Sequence, residues 1–107
     1  MEQVNRNNLL YDYYSTLLTP RQRQFFELHF QYDLSLGEIG ENAGVSRQAV
    51  HDLLRRTLNQ LEHYEQHLGL AARDQQRNSL LDELQQKLLA GKDKEQLLPF
   101  IQEIKDV

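Results

Sequence analysis

Four side chains in the middle of the chain are spaced to act together. Arg47, Gln48, His51 and Arg55 recur at intervals that return to one face of a helix of about 3.6 residues per turn. Their types suit nucleic acid. Arginine pairs with the two acceptors on the major-groove edge of guanine, and glutamine with the edge of adenine. Arg55, or Arg56 beside it, suits a phosphate. The same residues equally make an ordinary solvated face of good helix formers. Asp52, Glu38 and Glu41 lie close by and would repel a duplex.

Other chemistry is thinner. His63 and His67 stand four apart, as a metal pair on one helix face would. No third ligand accompanies them, and the Glu of "HYEQH" is misplaced for a zinc protease, so they read as surface histidines. "GEIGENAG" is glycine-rich but follows no strand, so it is no phosphate loop. No nucleophile, base and orienting group assemble into a triad, and no carboxylate pair stands out. Neither an enzyme nor a bound cofactor or metal is expected. Tyr11, Tyr13 and Tyr14 are able to stack on RNA bases, but their helical spacing reads as core or interface.

The elements that must position the arginines are legible. Proline occurs only at 20 and 99, and Leu, Gln, Glu and Arg dominate, so the chain reads as all-α. A first helix runs from about Asn7 to Leu18 with Leu10, Tyr13, Tyr14, Leu17 and Leu18 on one face. Thr19 and Pro20 cap and open a second, which carries Phe25, Phe26 and Phe30. Ser35 with Glu38 is a capping box for a short third helix ending near Ala43. Gly44 turns the chain, and Ser46 caps a fourth helix.

Leu36, Ile39, Gly40, Ala43, Gly44, Val45, Val50 and Leu53 have the pattern of a helix-turn-helix. Ile39 and Ala43 face the crossing from one helix, Val50 and Leu53 from the other. Gly40 permits close approach, and Val45 plugs the gap below the turn. Along the fourth helix Val50, Leu54, Thr57, Leu61, Tyr64 and Leu68 form a heptad-like seam. Gly69 ends or hinges it. A fifth helix spans about Ala71 to Ala90, "GKDK" breaks it, and a sixth holds Leu97, Leu98, Ile101 and Ile104, with Pro99 kinking it or shortening its first turn. The expected domains are a helix-turn-helix domain, residues 1–70, and a C-terminal helical extension, residues 71–107.

Composition bounds the rest. The 107 residues carry a net charge of −4 and no cysteine, which excludes disulfides and thiolate metal sites and suits a reducing compartment. Residues 47–77 hold five arginines against four acids and are the one stretch that is not acidic. That rules out a polybasic tail but not a local contact. The N-terminus has no signal-type apolar run and no segment is long enough to span a membrane, so the cytoplasm is the expected location.

From Leu17 to Leu70 the plan resembles region 4 of bacterial sigma factors. More closely, "NLLYDYYSTLLT", "DLSLGEI", "GVSRQAVHD" and "LEHYEQHL", in that order over residues 5–70, are similar to the YlxM-like family of small helix-turn-helix proteins. The tail beyond Leu70 matches only in being helical and of similar length. The resemblance implies a sigma-region-4-like helix-turn-helix followed by a helical arm. It also implies a regulatory part in the signal recognition particle pathway, since the family's genes typically neighbour those of the particle's GTPase and receptor. DNA, the particle's RNA, or its GTPase would then be partners. No catalytic or ligand residue is carried over; "SRQAVHD" is the best contact surface. Gly40 departs from the family, where alanine is usual, and is expected to cost about 1 kcal/mol of helix propensity.

The sequence therefore leads to a non-enzymatic, nucleic-acid-binding regulator that contacts its partner through Arg47, Gln48, His51, Arg55 and Arg56. A second reading is a protein–protein adaptor or homo-oligomer assembled through helix four and the C-terminal arm, which the acidic balance favours.

Overall fold

The computed structural model describes residues 3–107. Among them six α-helices and no strand occur: α1 (Gln3–Tyr14), α2 (Pro20–Phe30), α3 (Leu36–Ala43), α4 (Arg47–Leu68), α5 (Leu70–Leu89) and α6 (Lys94–Asp106). The fold is all-α, as the composition requires. Contacts divide the chain into one unit that ends at Leu68 and another from Gly69 to Val107.

In the first unit α1, α2 and α3 pack on α4. The core is Leu10, Tyr11, Tyr14, Leu18, Phe25, Phe26, Ile39, Val50, Leu54 and Leu61. Each of these large apolar side chains contributes about 1.5–3 kcal/mol by leaving water. Two expectations for α1 need correction. The helix stops at Tyr14, and Ser15–Leu17 tighten into a 3₁₀ turn before Leu18 goes extended. That change of pitch turns Leu17 outward, 52% exposed, although helical spacing put it in the core. Tyr11, outside the expected face, is buried instead and stacks on Phe26 with ring centroids 4.2 Å apart.

Caps set the helix starts. The Gln22 N–H donates to Thr19 Oγ1 (3.2 Å) and the Thr19 N–H to Gln22 Oε1 (2.9 Å), with Pro20 opening α2. Ser35 and Glu38 make the same reciprocal pair at α3 (3.0 and 3.1 Å). Between α2 and α3, Asp33 takes a left-handed conformation (φ 58°) and His29 Nδ1–H donates to the Leu34 carbonyl at 2.8 Å.

The α3–α4 turn is closed from both sides. Gly44 is left-handed (φ 72°), and the Val45 N–H donates to the Gly40 carbonyl at 2.9 Å. Gly40 itself is buried against the turn. A Cβ built there would stand 2.7 Å from the Val45 carbonyl oxygen and 3.3 Å from the Ser46 carbonyl carbon. Its role is therefore corrected: in this backbone glycine is required by contact, and alanine would force the turn away.

The α4 seam is buried at Val50, Leu54, Thr57 and Leu61, half-buried at Tyr64 and exposed at Leu68. Polar ties replace apolar packing in its last turns. Arg6 grips Glu62 with two bonds (2.7 and 2.8 Å), and the Tyr14 hydroxyl donates to Glu65 Oε1 at 2.5 Å. Buried Thr57 is satisfied by its own helix, Oγ1 donating to the Leu53 carbonyl at 2.8 Å.

The second unit is a hairpin of α5 and α6. Asp93 and Gln96 form a capping box at the start of α6, and Lys87 Nζ sits 4.7 Å from the Phe100 ring centroid. Leu80, Leu84, Leu97, Phe100 and Ile104 are half-buried, whereas Leu81, Leu88, Leu89, Leu98 and Ile101 are exposed. Pro99 lies inside α6, and the helix runs on through it. No described helix is long and apolar enough to cross a membrane.

Candidate nucleic-acid interface

Two helix ends and a three-residue turn fix where α4 begins. Ser46 caps it: Oγ accepts from the Ala49 N–H at 3.0 Å and the carbonyl from the Val50 N–H at 3.1 Å. With Val50 and Leu54 turned into the core, the opposite side of the first turns faces outward. All five expected contact residues, Arg47, Gln48, His51, Arg55 and Arg56, are exposed along these turns.

They do not form one equal set. Gln48 Nε2 donates to Asp52 Oδ1 at 2.9 Å, and His51 Nδ1 lies 3.4 Å from the same oxygen. The Gln48 bond, then the His51 contact, then the charges of His51 and Arg56 hold the Asp52 carboxyl below its ordinary range. Asp52 is thus a charged acceptor amid the face, and it occupies two of the side chains expected to meet a base. Arg47, Arg55 and Arg56 have no hydrogen-bond acceptor or carboxylate partner among the described residues.

Arg56 is nine residues from Arg47, about half a circumference round the helix. Arg56 therefore lies off the face that Arg47, Gln48, His51 and Arg55 share. His51 and Arg55 border a groove with His29, Phe30 and Leu36 from α2 and α3. Arg56 borders a different cleft with Arg21, Gln22 and Gln60. Arg21 is a residue that the sequence pattern gave no functional weight. Only the packing of α2 on α4 brings it into the cleft that Arg56 borders, and its guanidinium lies 4.9 Å from the Phe25 ring centroid.

The remaining arginines with defined contacts are spent on structure. Arg6 pairs with Glu62, Arg23 donates to the Leu18 carbonyl at 2.7 Å, and Arg77 pairs with Asp74 at 2.8 Å. The Glu62 carboxyl is held below its usual range, first by the bond from Arg6. Of the nearby acids, Glu38 caps α3 and is likewise lowered by its bonds to Ser35, whereas Glu41 is simply exposed. His63 and His67 lie with ring centroids 4.2 Å apart, and His67 Nδ1–H donates to the His63 carbonyl at 2.9 Å, so no more than its Nε2 faces outward. Among the described residues no group of three or more His, Cys, Asp or Glu could hold a metal.

A short helix, a closed turn and a second helix whose first turns carry unpaired arginines define a helix-turn-helix protein. The chain belongs to the family UPF0122, described as "Putative helix-turn-helix protein, YlxM / p13 like", which it matches over residues 1–101. It is 43% identical over 109 residues to a UPF0122 protein of Geobacillus sp. (strain WCH70), covering 100% of this chain and 98% of that one. It is 50% identical over 86 residues to one of Exiguobacterium sibiricum, covering 80% and 81% of the two chains. A relative from Symbiobacterium thermophilum is 50% identical over 88 residues, 82% of each chain.

Proposed function

We propose that this protein is a regulator that binds nucleic acid through the start of α4. The observation that carries this is the set of unpaired, exposed arginines along the first half of α4, Arg47 and Arg55 on one face and Arg56 off it, while Arg6, Arg23 and Arg77 are all engaged. An arginine kept free of carboxylates is ready for a phosphate or a guanine edge. Arg47 and Arg55 are the principal contacts. Gln48 and His51 join them when a base competes with Asp52. The family resemblance supports placing this activity in the cytoplasm, in the signal recognition particle pathway, with DNA or the particle's RNA as the nucleic acid and the particle's GTPase as a further partner.

Filter binding tests it, with promoter-like DNA and particle RNA at 50 and 200 mM salt. Binding that weakens steeply with salt and is lost in Arg47→Ala/Arg55→Ala supports the reading. Absent or salt-insensitive binding to both overturns it.

A second reading draws on the α5–α6 hairpin. It leaves Leu81, Leu88, Leu89, Leu98 and Ile101 exposed, and self-association would take such side chains out of water. Sedimentation of the intact chain beside Leu88→Lys/Leu98→Lys tests it. Two monomers would remove homo-oligomerisation from consideration.

A further inference from the structure

We propose that the cleft between the first turn of α2 and the middle of α4 seats a phosphodiester group of a nucleic-acid backbone, gripped by Arg21 and Arg56. The inference rests on the nucleic-acid reading and adds a second anchor, in a cleft next to the groove that Arg55 borders.

The rim of the cleft carries two cations and several amide donors around an apolar floor. It holds Arg21, Gln22, Arg56, Asn59 and Gln60 over Leu53, and no carboxylate. Asp52, whose carboxylate senses the Arg56 charge, is bonded to Gln48 and lies outside the lining. Gln60 Oε1 accepts from Gln22 Nε2, which leaves the Gln60 amide nitrogen as a donor. The first turn of α2 contributes as well. Pro20 has no N–H, the Gln22 N–H is bonded to Thr19 Oγ1, and the Arg23 N–H to the Thr19 carbonyl. Arg21 therefore holds the one uncommitted N–H of that turn, beside its own guanidinium. The Phe25 ring under that guanidinium limits its wandering, so less freedom is lost when an anion binds.

The geometry favours a duplex over an isolated anion. Arg55 and Arg56 point about 100° apart around α4 into clefts that share Asn59, and a helix with its side chains is about 10–12 Å across. The major groove is about 12 Å wide, with a phosphate backbone along each wall. A helix lying in that groove would bring Arg55 to one wall and the Arg21–Arg56 cleft to the other.

The test compares the intact chain with Arg21→Gln, Arg56→Gln and the double variant, using Arg77→Gln as a control. Binding to a mixed-sequence 20-base-pair duplex is measured against salt, with circular dichroism confirming the fold. Each single variant is expected to lower the slope of log K against log salt by about 0.9, with no effect of the control. Unchanged slopes in both single variants would overturn the seat while leaving duplex binding through Arg47 and Arg55 intact. A chain that binds no duplex would overturn the nucleic-acid reading. The seat is then judged by titrating inorganic phosphate and following arginine Nε–H signals by NMR. Saturable shifts at Arg21 and Arg56, absent at Arg47, support it; equal shifts at all of them, or none, overturn it.

Discussion

Gln48 donates to Asp52 across one turn of α4, at 2.9 Å. This bond ties a candidate base reader to a negative charge in the middle of the proposed contact face. Replacing Asp52 with asparagine keeps an acceptor for Gln48 and removes the charge. Duplex affinity is expected to rise about fivefold, corresponding to about 1 kcal/mol for a water-screened charge at contact distance. Fluorescence anisotropy at low salt measures it. Weaker binding would instead mark Asp52 as a reader of the cytosine amino group.

Gly40→Ala sets two effects against each other. Helix propensity alone favours alanine by about 1 kcal/mol. The new methyl, however, would meet the Val45 carbonyl oxygen at 2.7 Å, on a backbone already held by a hydrogen bond. Contact should win, with a net loss of about 1–3 kcal/mol. Urea unfolding gives the sign directly, and a gain in stability would show that the turn yields easily.

Burial, with the Glu27 carboxylate beside it, pushes the Tyr11 phenol up to about 12. The unfolded chain releases that proton near pH 10, while the folded state holds it longer. The stabilisation is thus complete below pH 10 and lost as pH rises from there to about 12. Unfolding midpoints between pH 9 and 12 should fall in the intact chain and fall less in Tyr11→Phe. Parallel curves would assign the loss to other groups.

Arg6 and Glu62 form a two-bonded pair between α1 and α4, each side chain 41% exposed. Water and salt screen such a pair, so a double-mutant cycle of Arg6→Met and Glu62→Gln should return a coupling of about 0.5–1 kcal/mol. The coupling should shrink at 1 M salt. A coupling above 2 kcal/mol would mean that the pair is far less hydrated than its exposure indicates.

Local chemistry made most of this fold legible. Thr19–Pro20, Ser35 with Glu38, Gly44 and Ser46 each act within a few residues, so their spacing alone located the helix starts and the turn. What escaped was three-dimensional. Leu17 fell out of the core because a 3₁₀ turn changed the pitch beneath it, and no residue type announces that change. Gly40 looked like a loosened alanine until the Val45 carbonyl stood against it. At the site, the exposure of Arg47, Gln48, His51, Arg55 and Arg56 followed from helical periodicity. The sharing of Asp52 by Gln48 and His51 depended on rotamers. The lining of one cleft by both Arg21 and Arg56 depended on how α2 crosses α4, across a separation that periodicity does not reach.

The closed turn also bears on timing. The Val45, Ala49 and Val50 amides are all bonded at the turn or the cap, and Gly40 leaves no room for the two helices to slide. The buried Val50 amide should exchange slowly, and the exposed Ala49 amide faster through local opening of its cap. The start of α4 then reaches any partner already shaped, so the encounter is paced by orientation and charge, with no slow rearrangement ahead of it.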